Sequence, residues 1–291
     1  MHLDELKKRY NLQDYHIIFA MTAESKVGLR GKRVLEVGGS LPKDFVFNEL
    51  GVKQWIAVEQ IDYWDGLPID TGGPDGTPPK GTPITKLADV IDFNILNLYE
   101  VLSGGVEELP IALHEKFDVI FSIAAFEHIG PFPLALDKMY QALHGGGHLF
   151  SMWSPIWSAH NGHHLPTIID KSGRSFSFVQ SPVPPWGHLF MQPLELYRYL
   201  LNLTDQEAAA RILYYLCNSS HINRFFVEDY LGFMEMSKFD FIEVTGYDET
   251  MVPPDIQTKL EGSNPGHKNF SHNGIMAVSY THLTLPTNRE V

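Results

Sequence analysis

The sequence predicts an α/β three-layer sandwich, in which a seven-stranded, mostly parallel sheet with an antiparallel last strand lies between two layers of helices. Three observations predict this fold. Short β-branched and apolar runs alternate along the chain with segments of helical patterning. Glycine turns connect several of these runs to the next segment, as is common where parallel strands meet helices. The last two runs, Phe241–Thr245 and Gly274–Ser279, are expected to close the sheet as a hairpin-like pair.

The first third of the chain supplies three of the predicted strands. Asp4–Tyr15 carries apolar residues at helical spacing and predicts a surface helix without a chemical role, inside an N-terminal helical cap that covers residues 1–30. Arg33–Val37 is the first strand, and Pro42 suits the first turn of the helix after it. The next two strands are predicted at Trp55–Val58 and Ala88–Ile91, with a loop rich in Gly, Pro and Thr between them at 66–83.

The middle of the chain continues the alternation. Phe117–Ser122 is apolar over the length of a buried parallel strand, and a helix is predicted at Pro133–Leu143. Three glycines, at positions 145–147, end that helix, and His148–Met152 is the fifth strand. These elements belong to one core domain, predicted to cover residues 31–280.

The remaining segments divide into an insertion, two helical stretches and a tail. The insertion covers about residues 153–193, where histidines, prolines and aromatic residues lack periodicity. The helical stretches are Leu194–Cys217 and Val227–Met236. Residues 281–291 continue no pattern and resemble a translated vector sequence, so we predict a non-native or disordered tail there.

Composition limits the classes of function. The formal net charge is −13 and Lys and Arg are not clustered, which disfavours a nucleic-acid partner. No run is apolar for long enough to cross a bilayer, and the first residues do not resemble a signal peptide. The single Cys217 cannot form an internal disulfide. We therefore expect a cytoplasmic protein that acts on a small molecule.

Two acidic residues and a glycine turn indicate a nucleoside cofactor. Glu36-x-Gly38-x-Ser40 begins at the end of the first strand and continues into a glycine turn, where a ligand can approach the backbone and the next helix presents free N–H groups. This pattern alone is also common in purely structural turns. Glu59 adds weight because it ends the next predicted strand, where a carboxylate can accept both hydroxyls of a ribose.

A third segment makes the assignment more specific. The strand at Phe117–Ser122 leads to Phe126-Glu127-His128-Ile129, then to a helix and to the glycine turn at 145–147. With this order of motifs, the region from Arg33 to Met152 resembles the class I S-adenosylmethionine-dependent methyltransferases, of the type 11-like kind with small-molecule or sugar acceptors. The resemblance is strongest in its second half and implies a Rossmann-like sheet and S-adenosylmethionine as the cofactor.

The resemblance also implies roles for single residues. Around the cofactor, Glu36 is expected near the methionine amino group, Gly38, Gly39 and Ser40 beneath it, and Glu59 at the ribose, with Gln60 as a further cofactor-binding residue. Either Asp92 or Asn94 is expected at the adenine, and Ser122 and Ile123 at the methionine end. Glu127 and His128 are expected at the mouth of the acceptor pocket. Ser40 stands where the family usually has glycine, and the loop after Glu59 is enlarged.

Histidines are the candidates for removing a proton from the acceptor. We predict His128, His163 and His164 as catalytic residues, with His160 and His188 as further candidates in the insertion. A histidine in a loop more often bonds to backbone or solvent. A metal site formed by His160, His163, His164 and His188 is a second possibility. We predict none, because the oxygen ligands that suit magnesium and the closely spaced cysteines that suit zinc are not evident.

The sequence thus predicts methyl transfer from S-adenosylmethionine to an oxygen or nitrogen of a small polar acceptor, with a sugar or surface-glycan precursor as one candidate class. One alternative is a nicotinamide-dependent oxidoreductase or epimerase, against which stands the lack of a Gly-x-Gly-x-x-Gly run and of a Tyr-x-x-x-Lys pair. A second alternative is a methyltransferase-like binding module without turnover, for which Ser40 is the only indication.

Overall fold

A computed structural model describes residues 3–39, 41–61 and 82–281. Its main sheet has eight strands in the order β3-β4-β2-β1-β5-β6-β10-β9, and β7 and β8 form a separate pair. The strands are β1 (Arg33–Val37), β2 (Gln54–Glu59), β3 (Ile84–Lys86), β4 (Tyr99–Ser103), β5 (Phe117–Ile123), β6 (Leu143–Trp153), β7 (Ile168–Ile169), β8 (Ser175–Phe176), β9 (Asp240–Glu249) and β10 (His272–Tyr280).

Nine α-helices are found among the described residues. They are α1 (Leu3–Tyr10), α2 (Asp14–Val27), α3 (Lys43–Asn48), α4 (Phe132–Ala142), α5 (Gly187–Phe190), α6 (Pro193–Leu201), α7 (Gln206–Cys217), α8 (Val227–Met236) and α9 (Pro254–Ser263). In the parts of the chain that the structure describes, no helix combines the length and the apolar character needed to cross a membrane.

The predicted α/β class and the antiparallel last strand are confirmed. Strands β1 to β6 pair in parallel, whereas β10 pairs antiparallel with both β6 and β9. The sheet has eight strands instead of the predicted seven. Strand β1 lies between β2 and β5, so the order of strands reverses beside it. In open α/β sheets this reversal is the point where ligands bind, outside the carboxyl ends of the strands.

The extra strand arises because the prediction at Ala88–Ile91 is wrong. Residues Leu87–Asp89 form a 3₁₀ turn, and the strand that pairs with β2 lies later, at Tyr99–Ser103. The sequence analysis did not predict this strand because the charged residue Glu100 interrupts its apolar pattern. Glu100 is buried because it accepts hydrogen bonds from the hydroxyl of Thr85 and from the backbone N–H of Asn97.

Helices cover both faces of the sheet, as a three-layer sandwich requires. On one face, α4 and α8 pack through Phe132 and Tyr230, whose ring centroids are 5.2 Å apart. On the other face, Ile17 and Ala20 of α2 pack with Phe121 and Phe150 of the sheet. Side chains of β-branched and aromatic residues fill both interfaces, so the apolar runs of the sequence are buried on two sides.

Two predicted helical segments are interrupted. The surface helix predicted at Asp4–Tyr15 divides into α1 and α2, because Asn11 adopts a left-handed backbone conformation with φ of 54°. The stretch Leu194–Cys217 likewise divides into α6 and α7. The side chain of Asp205 caps α7 by accepting hydrogen bonds from the N–H groups of Glu207 and Ala208.

The predicted insertion packs with the helices that follow it. Leu165, Ile168 and Val183 of the insertion share one buried cluster with Leu196 of α6 and Ile212 of α7. The insertion is therefore part of a small helical layer with its own apolar core.

Candidate active site

A cavity of about 520 Å³ lies at the carboxyl ends of β1, β2, β4 and β5, beside the reversal of strand order. Its volume is within the range of small-molecule sites. One wall consists of strand ends and the turns after them, and the facing wall comes from the N-terminal helices and from two loops. The lining residues lie within 36–42, 58–60, 104–107 and 123–125 on the first wall, and within 10–16, 128–131 and at Ser220 on the second.

The glycine turn after β1 forms the floor of this cavity. Gly38 has a φ of 71° and donates from its N–H to the carbonyl of Val58 at 2.9 Å. A Cβ at Gly38 would collide with the Cβ of Ala125. Gly39 has a φ of 128°, a conformation that favours glycine. The predicted Gly38 and Gly39 both line the cavity, whereas Ser40 lies outside the described residues.

Glu36 lines the cavity and holds the turn in place. Its carboxylate accepts a hydrogen bond from Trp55 Nε1 at 2.6 Å and from the N–H of Leu41 at 2.9 Å. The side chain is 1% exposed, and this burial raises the pKa of Glu36 to about 8, with a smaller contribution from the nearby charge of Glu59. A cationic ligand would favour the ionised form of this carboxyl group.

Glu59 and Gln60, both predicted to bind the cofactor, line the cavity at the end of β2. The Glu59 carboxylate accepts a hydrogen bond from the N–H of Gly39, so it lies directly over the glycine turn. Its side chain is 6% exposed. The two acidic residues that the sequence singled out, Glu36 and Glu59, are thus brought to one cavity from neighbouring strands.

The adenine-side candidates do not line this cavity. Asp92 and Asn94 are exposed, and the Asp92 carboxylate accepts hydrogen bonds from the backbone and the side chain of Asn94, at 2.9 and 3.0 Å. The wall instead contains residues 104–107, which follow β4. This displacement is the consequence of the wrong strand at Ala88–Ile91.

Glu107 lines the cavity, although the sequence analysis did not single it out. The glycine pair before it, Gly104 and Gly105, was the available signal, because it follows a strand as Gly38 and Gly39 do. A Cβ at Gly105 would lie within 2.7 Å of all three carboxyl atoms of Glu107, so this carboxylate folds over the glycine.

Ser122 and Ile123, at the end of β5, have different roles. Ile123 lines the cavity. Ser122 is fully buried and does not line it, and its hydroxyl donates to the carbonyl of Val37 at 2.8 Å. Ser122 therefore joins β5 to β1 beneath the cavity.

The N-terminal helices contribute a wall that the sequence did not predict to have any chemical role. Tyr10, Asn11, Tyr15 and His16 all line the cavity. The rings of Tyr15 and His16 lie 4.0 Å apart, and burial lowers the pKa of His16 to about 4. This wall therefore combines aromatic surface with a neutral imidazole.

His128 is the predicted catalytic residue that lies at the cavity. Its Nδ1 atom is 2.6 Å from the backbone carbonyl oxygen of His221. A carbonyl only accepts, so Nδ1 carries the proton and Nε2 is the atom with the lone pair. Burial lowers the pKa of His128 to about 4, which keeps the ring neutral at physiological pH.

The other two predicted catalytic histidines lie elsewhere, in the insertion. His163 Nδ1 accepts from the N–H of Leu165 at 3.1 Å, and His163 Nε2 is 3.0 Å from the hydroxyl of Ser181. His164 Nε2 donates to the carbonyl of Pro155 at 2.7 Å. Neither imidazole lines the cavity, and burial holds the pKa of both rings well below the usual value.

The remaining insertion histidines also bond within the protein. His188 Nε2 donates to the carbonyl of Trp157 at 2.9 Å, and His160 Nδ1 is 3.4 Å from the hydroxyl of Thr250. Within residues 3–39, 41–61 and 82–281, no three His, Cys, Asp or Glu side chains are grouped so that they could hold a metal ion. The insertion histidines therefore support the fold of the insertion.

Glu127 lies beneath the cavity instead of at its mouth. Its side chain is 1% exposed, and burial raises its pKa to about 8. Its backbone carbonyl accepts from the N–H of Asn223 at 2.9 Å, which joins the turn at 126–128 to the loop that carries His221.

Comparison with known proteins agrees with these features. Residues 86–151 match the family model described as a methyltransferase domain. A 51-residue segment is 43% identical to the malonyl-[acyl-carrier protein] O-methyltransferase of Calditerrivibrio nitroreducens, which corresponds to 18% of this chain. The matched segment spans only 20% of that relative's length.

Solved structures give distant similarities. An S-adenosylmethionine-dependent methyltransferase from Mesorhizobium loti is 13% identical with a TM-score of 0.41, over 87% of this chain and 92% of that one. The 1,6-didemethyltoxoflavin-N1-methyltransferase of Burkholderia thailandensis, solved with 1,6-didemethyltoxoflavin and S-adenosylhomocysteine, is 11% identical with a TM-score of 0.42, over 96% and 84%.

The family match covers the strand, turn and helix that carried the resemblance in the sequence, from β4 through Phe117–Ser122 and His128 to β6. It includes the turn at 104–107 that lines the cavity. Residues 86–151 thus match a methyltransferase domain, in agreement with the methyltransferase family that the sequence resembles.

Proposed function

We propose that the whole protein transfers the methyl group of S-adenosylmethionine to an oxygen or nitrogen atom of a small polar acceptor. The observation that carries this proposal is the placing of Glu36, Glu59 and the glycine turn in one cavity at the reversal of strand order. That cavity adjoins the matched methyltransferase segment.

The charges of the cavity fit this cofactor. S-adenosylmethionine carries a sulfonium, an ammonium and a carboxylate group, so its net charge is positive. The cavity has three carboxylates, Glu36, Glu59 and Glu107, and no Lys or Arg among its described lining residues. A buried carboxylate is stabilised in its charged form by a nearby cation, so the ligand and the cavity are complementary.

The residues of the cradle have distinct tasks in this proposal. Glu59 accepts hydrogen bonds from the ribose hydroxyls, and Gly38 lets the ligand approach the backbone where a Cβ would not fit. Glu36 keeps the turn in shape through Trp55 and Leu41. Glu107, on the turn after β4, takes the adenine-side position that the sequence assigned to Asp92 or Asn94.

When bound, the cofactor supplies a methyl carbon that is already activated by its sulfonium, so the protein mainly has to position the acceptor in line with it. His128 is the candidate for receiving the proton of a hydroxyl or amine acceptor, because its Nε2 has the lone pair. With a pKa of about 4, set by burial, His128 acts chiefly as a hydrogen-bond acceptor that orients the X–H group.

The narrower acceptor class, a sugar or glycan precursor, was predicted from the family resemblance and from the histidines and aromatic residues of the insertion. The insertion adds no support, because none of residues 153–193 belongs to the cavity lining, and the resemblance alone remains. The relative that is similar over a 51-residue segment is a malonyl-[acyl-carrier protein] O-methyltransferase, and a malonyl group carries a carboxylate.

The test is a calorimetric titration of the full chain with S-adenosylmethionine, S-adenosylhomocysteine and NAD. The proposal expects both adenosyl compounds to bind and NAD to be rejected. Binding of NAD alone would favour the oxidoreductase alternative and defeat the proposal. Release of S-adenosylhomocysteine in the presence of small hydroxyl and amine compounds then separates a working enzyme from a binding module.

A further inference from the structure

The wall that faces the strand ends has a chemistry of its own. We call it the cap wall and define it as Tyr10, Asn11, Leu12, Tyr15, His16 and Ser220. The strand ends are assigned to the cofactor in the proposed function, so the cap wall is the surface left for the acceptor.

The cap wall carries no charge at neutral pH. His16 is neutral because burial lowers its pKa to about 4, and its Nδ1 accepts from the N–H of Gln13 at 3.1 Å. The hydroxyl of Tyr10 donates to the carboxylate of Glu49 at 2.5 Å, so that phenol remains protonated. The wall therefore presents aromatic rings and neutral hydrogen-bonding groups.

Cationic side chains near the cap wall have anionic partners. Lys7 lies 2.7 Å from the carboxylate of Asp14. Arg9 pairs with Glu5 at 2.6 Å and with Glu49 at 3.5 Å. Neither Lys7 nor Arg9 lines the cavity.

On the other side of the mouth, near Ser220, the cation is Arg224. Its guanidinium donates to the carbonyl of Ser219 at 2.6 Å and to that of Leu216 at 3.4 Å. It also lies 5.3 Å from the ring of Trp157. In the described part of the chain, no cation is therefore left facing the cavity to receive an anionic acceptor.

Among the described lining residues an anionic acceptor would meet no protein cation, so the sulfonium of the bound cofactor would be its only counter-charge, in a cavity that also holds Glu59 and Glu107. Burying an unpaired charge costs several kcal/mol, on the order of what a small ligand gains in total by binding. A flat, uncharged molecule would instead gain from contact with the rings of Tyr15 and His16.

We infer that the acceptor is an uncharged aromatic alcohol or amine whose ring lies against the cap wall, and that carboxylate and phosphate compounds are excluded. This inference rests on the proposed function. In the transfer, a lone pair of the acceptor oxygen or nitrogen forms the new bond to the methyl carbon. The carbon–sulfur bond breaks with its electron pair going to sulfur, and the acceptor's proton leaves through His128 Nε2 to water.

The test uses two probes that differ in charge, 4-methylphenol and 4-methylbenzoate, titrated at pH 7 into protein saturated with S-adenosylhomocysteine. We expect 4-methylphenol to bind at least about ten times more tightly, which corresponds to about 1.4 kcal/mol. Tyr15→Ala should weaken the binding of 4-methylphenol several-fold. Equal or tighter binding of 4-methylbenzoate, or binding of neither probe, would overturn the inference.

A variant that adds a positive charge tests independently whether the acceptor lies against the cap wall. Ser220→Lys places an ammonium on the cap wall and should raise the affinity for 4-methylbenzoate at least about ten-fold. Asn218→Lys is the matched control, because this exposed residue lies two positions away and does not line the cavity. An equal gain in both variants would show a general charge effect and contradict the cap-wall assignment.

The binding of S-adenosylhomocysteine is measured first, because it distinguishes a failure of the proposed function from a failure of the inference about the acceptor. Loss of that binding would remove the proposed function and the inference together. Cofactor binding accompanied by a preference for the carboxylate probe would remove the inference alone.

Discussion

The imidazole of His128 is hydrogen-bonded to the backbone of His221, with Nδ1 of His128 2.6 Å from the carbonyl oxygen of His221. The His221 ring in turn bonds to the carbonyl of His164 at 2.7 Å, and the His164 ring to that of Pro155 at 2.7 Å. These three contacts join the cavity wall to the loop after α7 and to the insertion. One histidine of the three lies at the cavity, and the other two support it.

The first prediction concerns His128. His128→Asn keeps an N–H for the carbonyl of His221 but loses the lone pair at Nε2. We expect S-adenosylmethionine to bind within about two-fold of wild type and the transfer rate to fall roughly 10- to 100-fold, below the usual effect of a full general base because the ring is only weakly basic.

Stopped-flow or single-turnover measurement of S-adenosylhomocysteine formation checks this, with His188→Gln as a control that alters an imidazole away from the cavity. A His128→Asn enzyme with the wild-type rate would remove His128 from the reaction.

The second prediction reassigns His164. The sequence placed it among the catalytic residues, whereas the structure shows it donating to Pro155 away from the cavity. His164→Ala leaves that carbonyl without its partner and should lower the free energy of unfolding by about 1 to 3 kcal/mol. Urea denaturation measures this change. Normal stability together with a lost transfer rate would return His164 to a catalytic role.

The third prediction tests the glycine turn. Gly38→Ala places a Cβ against Ala125 at a φ of 71°, so it should abolish detectable binding of S-adenosylmethionine and lower stability. Gly130→Ala is the matched control, because a Cβ there meets nothing within 4 Å although Gly130 also lines the cavity.

Adding Ala125→Gly to the Gly38→Ala variant removes the collision and leaves only the backbone cost of about 1 kcal/mol. We expect this double variant to recover part of the affinity. No recovery would mean that the left-handed backbone, and not the space above it, sets the requirement for glycine.

The fourth prediction concerns stability against pH. Burial lowers the pKa of His128 and His188 to about 4 and holds the pKa of His163 and His164 well below the usual value, so below about pH 6.5 the unfolded chain binds more protons than the folded protein. Stability should therefore fall as pH drops from about 6.5, the unfolded value, towards 4. Each buried imidazole changes the free energy of unfolding by at most about 1.4 kcal/mol per pH unit.

The buried carboxyl groups act in the opposite direction. Burial raises the pKa of Glu36 and Glu127 to about 8, so the folded protein binds more protons than the unfolded chain between about 4.5 and 8, and stability falls as pH rises. The unfolding midpoint should thus peak near pH 6.5. In Glu127→Gln, which does not titrate, the decline from pH 6.5 to 8 should be smaller. An unchanged decline would contradict the assignment of Glu127 as a buried acid.

Part of the fold and of the site follows from local sequence patterns. Strands β1, β2 and β5 each contain a short apolar run, and Glu36, Gly38 and Glu59 lie at or directly after the carboxyl ends of β1 and β2, so residues close in the sequence are also close in space. Strand β4 was not predicted because Glu100 interrupts its apolar pattern. The turn after it, residues 104–107, was therefore not recognised as part of the cavity.

Other features depend on tertiary contacts that no local pattern encodes. Tyr15 and His16 reach the cavity because α2 packs against the sheet from the start of the chain. The insertion histidines could not be told apart from His128 in the sequence, since the difference lies in which backbone carbonyl each ring meets.

The most direct test of the cofactor site compares two carboxylates by calorimetric titration with S-adenosylhomocysteine. Glu59 lies in the cavity and Asp92 outside it, although the sequence assigned both to the cofactor. We predict that Glu59→Ala weakens binding at least about 30-fold, or about 2 kcal/mol, and that Asp92→Asn leaves it unchanged. Weaker binding in Asp92→Asn with unchanged binding in Glu59→Ala would contradict this placement of the cofactor.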